Sequence, residues 1–263
     1  MTGIDQRTPI ESLVQWEFLS DPESIASIRP PSRPTVWLAP LPISRDETVD
    51  AEPQAIGFNA SEWQRAARYR VAAARHQFIR ARSFLRQGLA AILGCDPDQV
   101  PFEQAPQQKP RLGEPFRSAG WDFNLSHTSG WVMLGVTATG RIGVDCERIR
   151  NAAFDALLER FFAAEEWAEW QSATATENRE QLFYQAWTRK EAVVKALSRS
   201  VQEFAQFAIP LCPPRSNHWV RSWESIPHPP TVHLDSQCVQ DQLFASVAWL
   251  PNDDTAEESS STV

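Results

Sequence analysis

Cysteine is scarce and scattered: Cys95, Cys146, Cys212 and Cys238 are all that 263 residues hold, and no two form a CxxC pair. That spacing excludes a zinc ribbon and a redox dithiol. Glycine is thin as well, 10 residues against 20 prolines, which rules out a collagen-type repeat. No run of about 18 apolar residues is present, so no segment is read as a bilayer span and no membrane is expected as a partner. The opening MTGIDQRTPIESL has no apolar core of a secretory leader, and the expected location is the cytoplasm. Positive charge is in deficit. Lys and Arg total 25 against 33 Asp and Glu, a net −8, which argues against a general nucleic-acid binder. With 42% hydrophobic residues the chain is not wholly disordered, and its length suits one large domain or two modest ones.

Residues 1–33 mix polar residues with proline and show no sustained period, so they read as a flexible arm. TVWLAPLP (35–42) reads as a first strand. A helical pattern covers 61–93, with Ser61 as its N-cap, a break near 70–74 and Gly94 as its stop. WDFNLSH alternates into a loop. WVMLGVTA is a strong strand, and RIGVDCERI reads as its return partner in a hairpin. Residues 152–197 read as helices with Leu182, Ala186, Val193 and Leu197 as core positions of the last, and LFASVAWLP (243–251) as a closing strand. The acidic tail 252–263 reads as disordered.

Three groups of residues carry candidate chemistry. In RIGVDCERI, Ile142, Val144 and Cys146 share one strand face, and Gly143, Asp145 and Glu147 share the other. Parallel carboxylates on a strand suit a hard cation such as Mg²⁺, and they equally suit the wet face of a hairpin. Glu191, flanked by Lys190 and one turn from Lys195, is a natural third acid, although surface Glu–Lys pairs at this spacing are common. Ser126 and His127 read either as an ordinary turn or as a hydroxyl and a ring aimed at phosphate. Finally, Arg65, Arg68, Arg70, Arg75, Arg80, Arg82 and Arg86 follow one another with no intervening acid, which suits either a polyanionic ligand or a solvated face. His228, His233 and Cys238 match no usual zinc spacing and read as loop residues and buried thiols.

The order FNLSH (123–127), GVDCE (143–147), RFFAAEEW (160–167) and WTRKEAVVK (187–195) resembles the 4′-phosphopantetheinyl transferases. The likeness is to the surfactin-synthetase-activating (Sfp) type of monomeric, double-length enzyme, and it extends to KPRL (109–112) and the helical stretch from Trp63. The resemblance implies an α+β fold of two pseudo-twofold-related halves, each a small antiparallel sheet on a long helix. Here those halves would be residues 34–140 and 141–251. It implies transfer of 4′-phosphopantetheine from coenzyme A to a serine of an apo acyl or peptidyl carrier protein, with Mg²⁺. Asp145, Glu147 and Glu191 match its metal-gathering acids. His127 and Lys195 match phosphate contacts, Ser126 and Lys109 match coenzyme-binding positions, and Arg65 matches a 3′-phosphate contact; Arg75 is a candidate for the same task from its place in the arginine-rich stretch. Glu191 matches the expected proton acceptor.

Two departures stand out. Gln108 replaces a glycine, and Ser198 and Ser200 replace glycines after Lys195, which predicts a differently shaped loop there, since serine resists φ > 0. A net −8 also opposes an acidic carrier, so a local basic or apolar patch is expected to override it. The alternatives are a Mg²⁺-dependent nucleotide phosphoesterase built on the same carboxylates, and an inert coenzyme- or carrier-binding module.

Overall fold

The computed structural model describes residues 13–41, 53–103, 109–150, 154–172, 179–209, 211, 231–240 and 242–252. Gln108, Cys212, His228, the polar break 173–178 and the tail beyond Asn252 lie outside them. Strands β1 (Gln15–Phe18) and β2 (Thr35–Pro40) are followed by helices α1 (Ala60–Ala66) and α2 (Ala72–Leu93) and the short pair β3 (Phe102–Glu103) and β4 (Arg111–Leu112). Next come β5 (Asp122–Thr128), β6 (Trp131–Thr137) and β7 (Gly140–Arg148), then α3 (Asp155–Phe161), α4 (Ala164–Ser172) and α5 (Arg179–Ala196). Strands β8 (His233–Val239) and β9 (Leu243–Pro251) complete the α+β order. Among the described residues no helix is long and apolar enough to cross a membrane.

Two sheets carry the fold, in the strand orders β1-β2-β6-β5 and β7-β9-β8. All their ladders are antiparallel except β1 on β2, which is parallel. Alternation along the strands gives each sheet two apolar faces. Val36, Leu38 and Met133 of the first sheet meet Ile142, Val144 and Val247 of the second. On the far side of the first sheet, Phe84, Leu85 and Leu89 of α2 cover Trp37, Leu134 and Val136. On the far side of the second, Ala192, Val193 and Ala196 of α5 cover Leu234, Ala248 and Leu250. The 61–93 helical pattern is thus two helices. Gly94 ends the second in the left-handed region (φ 69), its N–H returning to Ala90 O.

Four expectations need correction. The part of the expected arm that is described, 13–33, is held in place: β1 pairs with β2, and Ile25 in the 3-10 turn Glu23–Ser27 is fully buried against α2. Burying one such side chain contributes roughly 1.5–3 kcal/mol, which adds to the β1–β2 ladder in offsetting the entropy lost on ordering the segment. The N-cap of α1 is Asn59, not Ser61. Asn59 Oδ1 accepts from Glu62 N at 3.0 Å, and Glu62 Oε2 accepts from Asn59 N at 2.9 Å.

The expected β6–β7 hairpin does not form. Both edges of β6 are taken by β2 and β5, so β7 turns into the other sheet and pairs with β9. The other edge of β7 is closed by side chains of β5. Asp122 Oδ2, Asn124 Oδ1 and Ser126 Oγ accept from the amides of Ile142, Val144 and Cys146 at 2.8, 2.9 and 3.3 Å. Alternate polar residues on β5 therefore do the work of a missing neighbour strand.

The loop after Lys195 keeps a glycine-like shape despite its serines. Ser198 sits at φ 55, and Arg199 N reaches back to Val194 O at 2.7 Å to close the end of α5. The helix-closing bond offsets part of a left-handed penalty of about 1–2 kcal/mol.

Candidate active site

Gly143, Asp145 and Glu147 face α5. A Cβ on Gly143 would lie 2.0 Å from Ala192 O and 2.3 Å from Ala196 N, so the missing side chain lets the helix backbone lie directly on the strand. That contact brings Glu191 and Lys195, one turn apart on α5, over the carboxylates of β7. Lys195 Nζ lies 2.6 Å from Asp145 Oδ1 and 3.8 Å from Glu191 Oε2. Burial opposes the Lys195 charge, but Asp145 and Glu191 hold its pKa above the ordinary lysine value. Burial, together with the charges of Asp145 and Glu147, pushes Glu191 up to about 6 against the pull of Lys195. Burial and Asp145 raise Glu147 as well, while Thr128 Oγ1 donates to its Oε2 at 3.2 Å. The three acids are thus brought within each other's field.

Their chemistry fits a hard cation. The donors are all oxygens, and Asp145 Oδ2 is buried with no hydrogen-bond partner. Among the described residues no three His, Cys, Asp or Glu side chains form a ready-made metal cage. Mg²⁺ does not ask for one, because it keeps waters and substrate phosphate oxygens beside one or two carboxylates. The ammonium of Lys195 stands beside Asp145 and Glu191, where such a cation would also be attracted.

Along β5 lies a cleft of about 390 Å³, lined by Arg65, Tyr69, Phe78, Pro110, Asn124 and His127 among others. The guanidinium of Arg65 stands 5.3 Å over the Phe78 ring. His127 is pushed below the usual histidine range by desolvation and then by the charges of Lys195 and Arg65. It is therefore the residue that both the carboxylate cluster and the arginine cleft reach.

Several candidates are placed otherwise than the sequence suggested. Ser126 is buried and committed, donating to Asp145 Oδ1 at 2.9 Å while accepting from Cys146 N. Lys109 is turned into the seam, where Nζ donates to Asp122 Oδ2 at 2.6 Å and to Ile142 O at 2.8 Å, and burial lowers its pKa. Its neighbour Pro110 lines the cleft instead. Arg75 lies on the first turn of α2, partly buried. Lys190 points away from Glu191 into a buried pair with Glu166. His233 and Cys238 stand in strand β8 and not in a loop, and the Cys238 thiol is exposed. Arg82 and Arg86 are not free for an anion: both bond Glu62, the acid just upstream of the arginine run, and Arg86 also donates to Pro97 O at 2.6 Å.

Sequence reasoning passed over Asn124 and Thr128, although a D-x-N-x-S-x-T alternation opposite Phe123 and Leu125 marks a strand with one polar face. It also passed over Gln77, for which no local signal exists.

A cluster of three carboxylates and a lysine stands near an arginine-lined cleft, a combination suited to a phosphorylated ligand. Comparison with known proteins makes the class specific. The model of the 4′-phosphopantetheinyl transferase superfamily matches residues 141–245. The 4′-phosphopantetheinyl transferase HetI of Nostoc sp. is 30% identical over 219 residues, 82% of this chain and 89% of that one. The slr0495 protein of Synechocystis sp., which carries a provisional 4′-phosphopantetheinyl transferase name, is 31% identical over 238 residues, 86% of this chain and 91% of its own. The psf-1 transferase of Bacillus pumilus is 33% identical over 104 residues, 40% of this chain and 42% of that one. The chain belongs to the 4′-phosphopantetheinyl transferase superfamily. It is an enzyme of that activity, phosphopantetheinyl transfer.

Proposed function

We propose that the donor is coenzyme A and the acceptor a serine hydroxyl of an apo acyl or peptidyl carrier protein, with Mg²⁺ required and adenosine 3′,5′-bisphosphate released. The observation that carries this reading is the bridging of two elements by Lys195, which joins Asp145 of β7 to Glu191 of α5 beside the cleft that holds Arg65 and His127. Coenzyme A has a diphosphate and a separate 3′-phosphate, and the site offers two separate positive regions to match them.

Asp145, Glu147 and Glu191 are the residues that would hold Mg²⁺, with Asp145 Oδ2 the unpartnered oxygen among them. When bound, the cation neutralises charge on the diphosphate. The chain's own groups supply the rest. Arg65 in the cleft meets the 3′-phosphate and fixes the nucleotide end, with Arg75 of α2 a second candidate for that contact. The carrier serine Oγ attacks the phosphorus that bears pantetheine, and the bond from that phosphorus to the oxygen bridging to the adenosine side breaks. Glu191 accepts the serine proton; its burial raises its pKa and so favours that role, while a bound cation would draw the value back down. Lys195 and His127 donate to phosphate oxygens as negative charge moves onto the leaving bisphosphate.

The test is to incubate the enzyme with apo carrier protein, coenzyme A and Mg²⁺ and to weigh the carrier. A gain of one phosphopantetheine, lost in Glu191→Gln, is expected. Cleavage of coenzyme A with an unmodified carrier would mean a phosphoesterase, and binding without turnover an inert module. Either result overturns the proposal.

A further inference from the structure

Gln77, in the second turn of α2, touches the site without belonging to any of the motifs. Its amide Nε2 lies 2.9 Å from Thr128 O and 3.3 Å from His127 Nδ1. An amide nitrogen carries two hydrogens and accepts none, so both contacts are donations. The Thr128 carbonyl can only accept. It therefore fixes which way the Gln77 amide faces, because the flipped amide would set oxygen against oxygen. With the nitrogen so oriented, its second hydrogen points at His127 Nδ1, which must then offer a bare lone pair. The ring proton falls to Nε2. A proton on Nδ1, in the other tautomer or in the imidazolium, would meet the Gln77 N–H head-on. The ring is exposed at the cleft, and partial desolvation with the charges of Lys195 and Arg65 favours its neutral form. The backbone carbonyl of His127 itself, within reach of Nδ1 alone, is the weaker competitor for a proton there.

We propose that Gln77 is a positioning residue that locks His127 in its Nε2–H tautomer, so that the ring presents a hydrogen-bond donor rather than a lone pair to the anion in the cleft. The consequence for turnover rests on the reading of His127 as a phosphate contact; the tautomer does not. A lone pair would repel a phosphate oxygen, whereas an N–H donates to it and strengthens as charge builds there. Because Gln77 also holds Thr128 O, it ties α2 to the strand that carries the ring.

The experiment records the ring nitrogens by ¹⁵N-labelled histidine NMR in the full chain without coenzyme A, with His127→Ala assigning the signals. Wild type is expected to show a protonated Nε2 and a bare Nδ1. Gln77→Glu places an acceptor at Nδ1, so the proton should move there, and kcat/KM for coenzyme A should fall about tenfold, as befits one lost hydrogen bond to a charged group. Gln77→Leu, which neither donates nor accepts, should release the ring into a mixture of tautomers with a smaller fall. A wild-type ring protonated on Nδ1, or a Gln77→Glu ring unchanged from wild type, overturns the proposal. So does a lowered thermal midpoint in both variants with unmoved ring signals, since that is what a purely structural role would give. A moved proton with unchanged kcat/KM refutes the link to turnover. If the ring behaves as expected but wild type modifies no carrier, the functional reading of the site falls and the tautomer assignment stands.

Discussion

Lys190→Met separates a structural lysine from a catalytic one. Lys190 is fully buried, and Nζ donates to Glu166 Oε1 and Oε2 at 2.8 and 2.6 Å and to Phe207 O at 2.6 Å. Glu166 in turn accepts from the amides of Ala163 and Ile209, each at 2.8 Å. Burial disfavours both charges, pushing Lys190 down to about 8 and Glu166 up, so each persists because the other neutralises it. Methionine keeps most of the volume beside Phe204 and Phe207 but leaves the carboxylate without its cation. Breaking a buried pair from one side costs about 3–5 kcal/mol, a large share of the roughly 5–15 kcal/mol that holds a domain folded. Adding Glu166→Gln removes the orphaned charge and should restore about 1–2 kcal/mol.

The assay is urea unfolding followed by tryptophan fluorescence, since Trp167, Trp170 and Trp187 pack in the aromatic cluster around α4 and α5. In the single variant Glu166 retains a raised folded pKa with no cation to oppose it. Its stability should be greatest below the ordinary glutamate pKa and fall as pH rises through the folded value, because the folded state then binds the extra proton. The folded enzyme should keep its KM for coenzyme A, as Lys190 faces Glu166 and not the cleft. A loss under about 1 kcal/mol, a double variant weaker than the single one, or a raised KM without a stability loss would each refute this account.

Two further outcomes follow from the same geometry. Gly143→Ala should cost about 3 kcal/mol or more, because its Cβ would strike α5 backbone that no rotamer can clear; in whatever folds, Lys195 should separate from Asp145 and turnover should drop. Urea midpoints and carrier-modification rates check it, and stability within about 1 kcal/mol of wild type would count against the close contact. The pH profile of kcat/KM should rise as Glu191 loses its proton to become a base, and the rise should vanish in Glu191→Gln; burial holds the cation-free carboxyl up to about 6 and a bound divalent cation lowers it, so the midpoint should lie below about 6 in saturating Mg²⁺ and move up toward it as Mg²⁺ is reduced.

The sequence was most legible where local periodicity equals burial. The strands at 35–40, 131–137 and 243–251 and the helix ending at Gly94 are patterns of period two and 3.6 that one face of a core enforces. What stayed hidden is non-local. Nothing in RIGVDCERI tells that its edge is closed by Asp122, Asn124 and Ser126 instead of by β6, since a strand's alternation is the same whichever neighbour it has. The carboxylates were legible as a pair because two residues on one strand must point alike. The commitment of Ser126 to Asp145 was not, because it depends on how two separate sheets meet.

Lys190 shows how far the reading could have gone. Neighbours on a helix diverge by about 100°, so adjacency to Glu191 says that the two do not share a face. Ala186 and Val193 were recognisable core positions, and Lys190 lies four residues after one and three before the other, on the same buried stripe. A lysine on such a stripe is almost never left unpaired. It calls for an acid from another element, and RFFAAEEW supplies Glu166 there. The two motifs therefore recur in order for separate reasons: one end of WTRKEAVVK fastens α5 to the body of its half, and Glu191 and Lys195, facing the other way, are thereby held over β7.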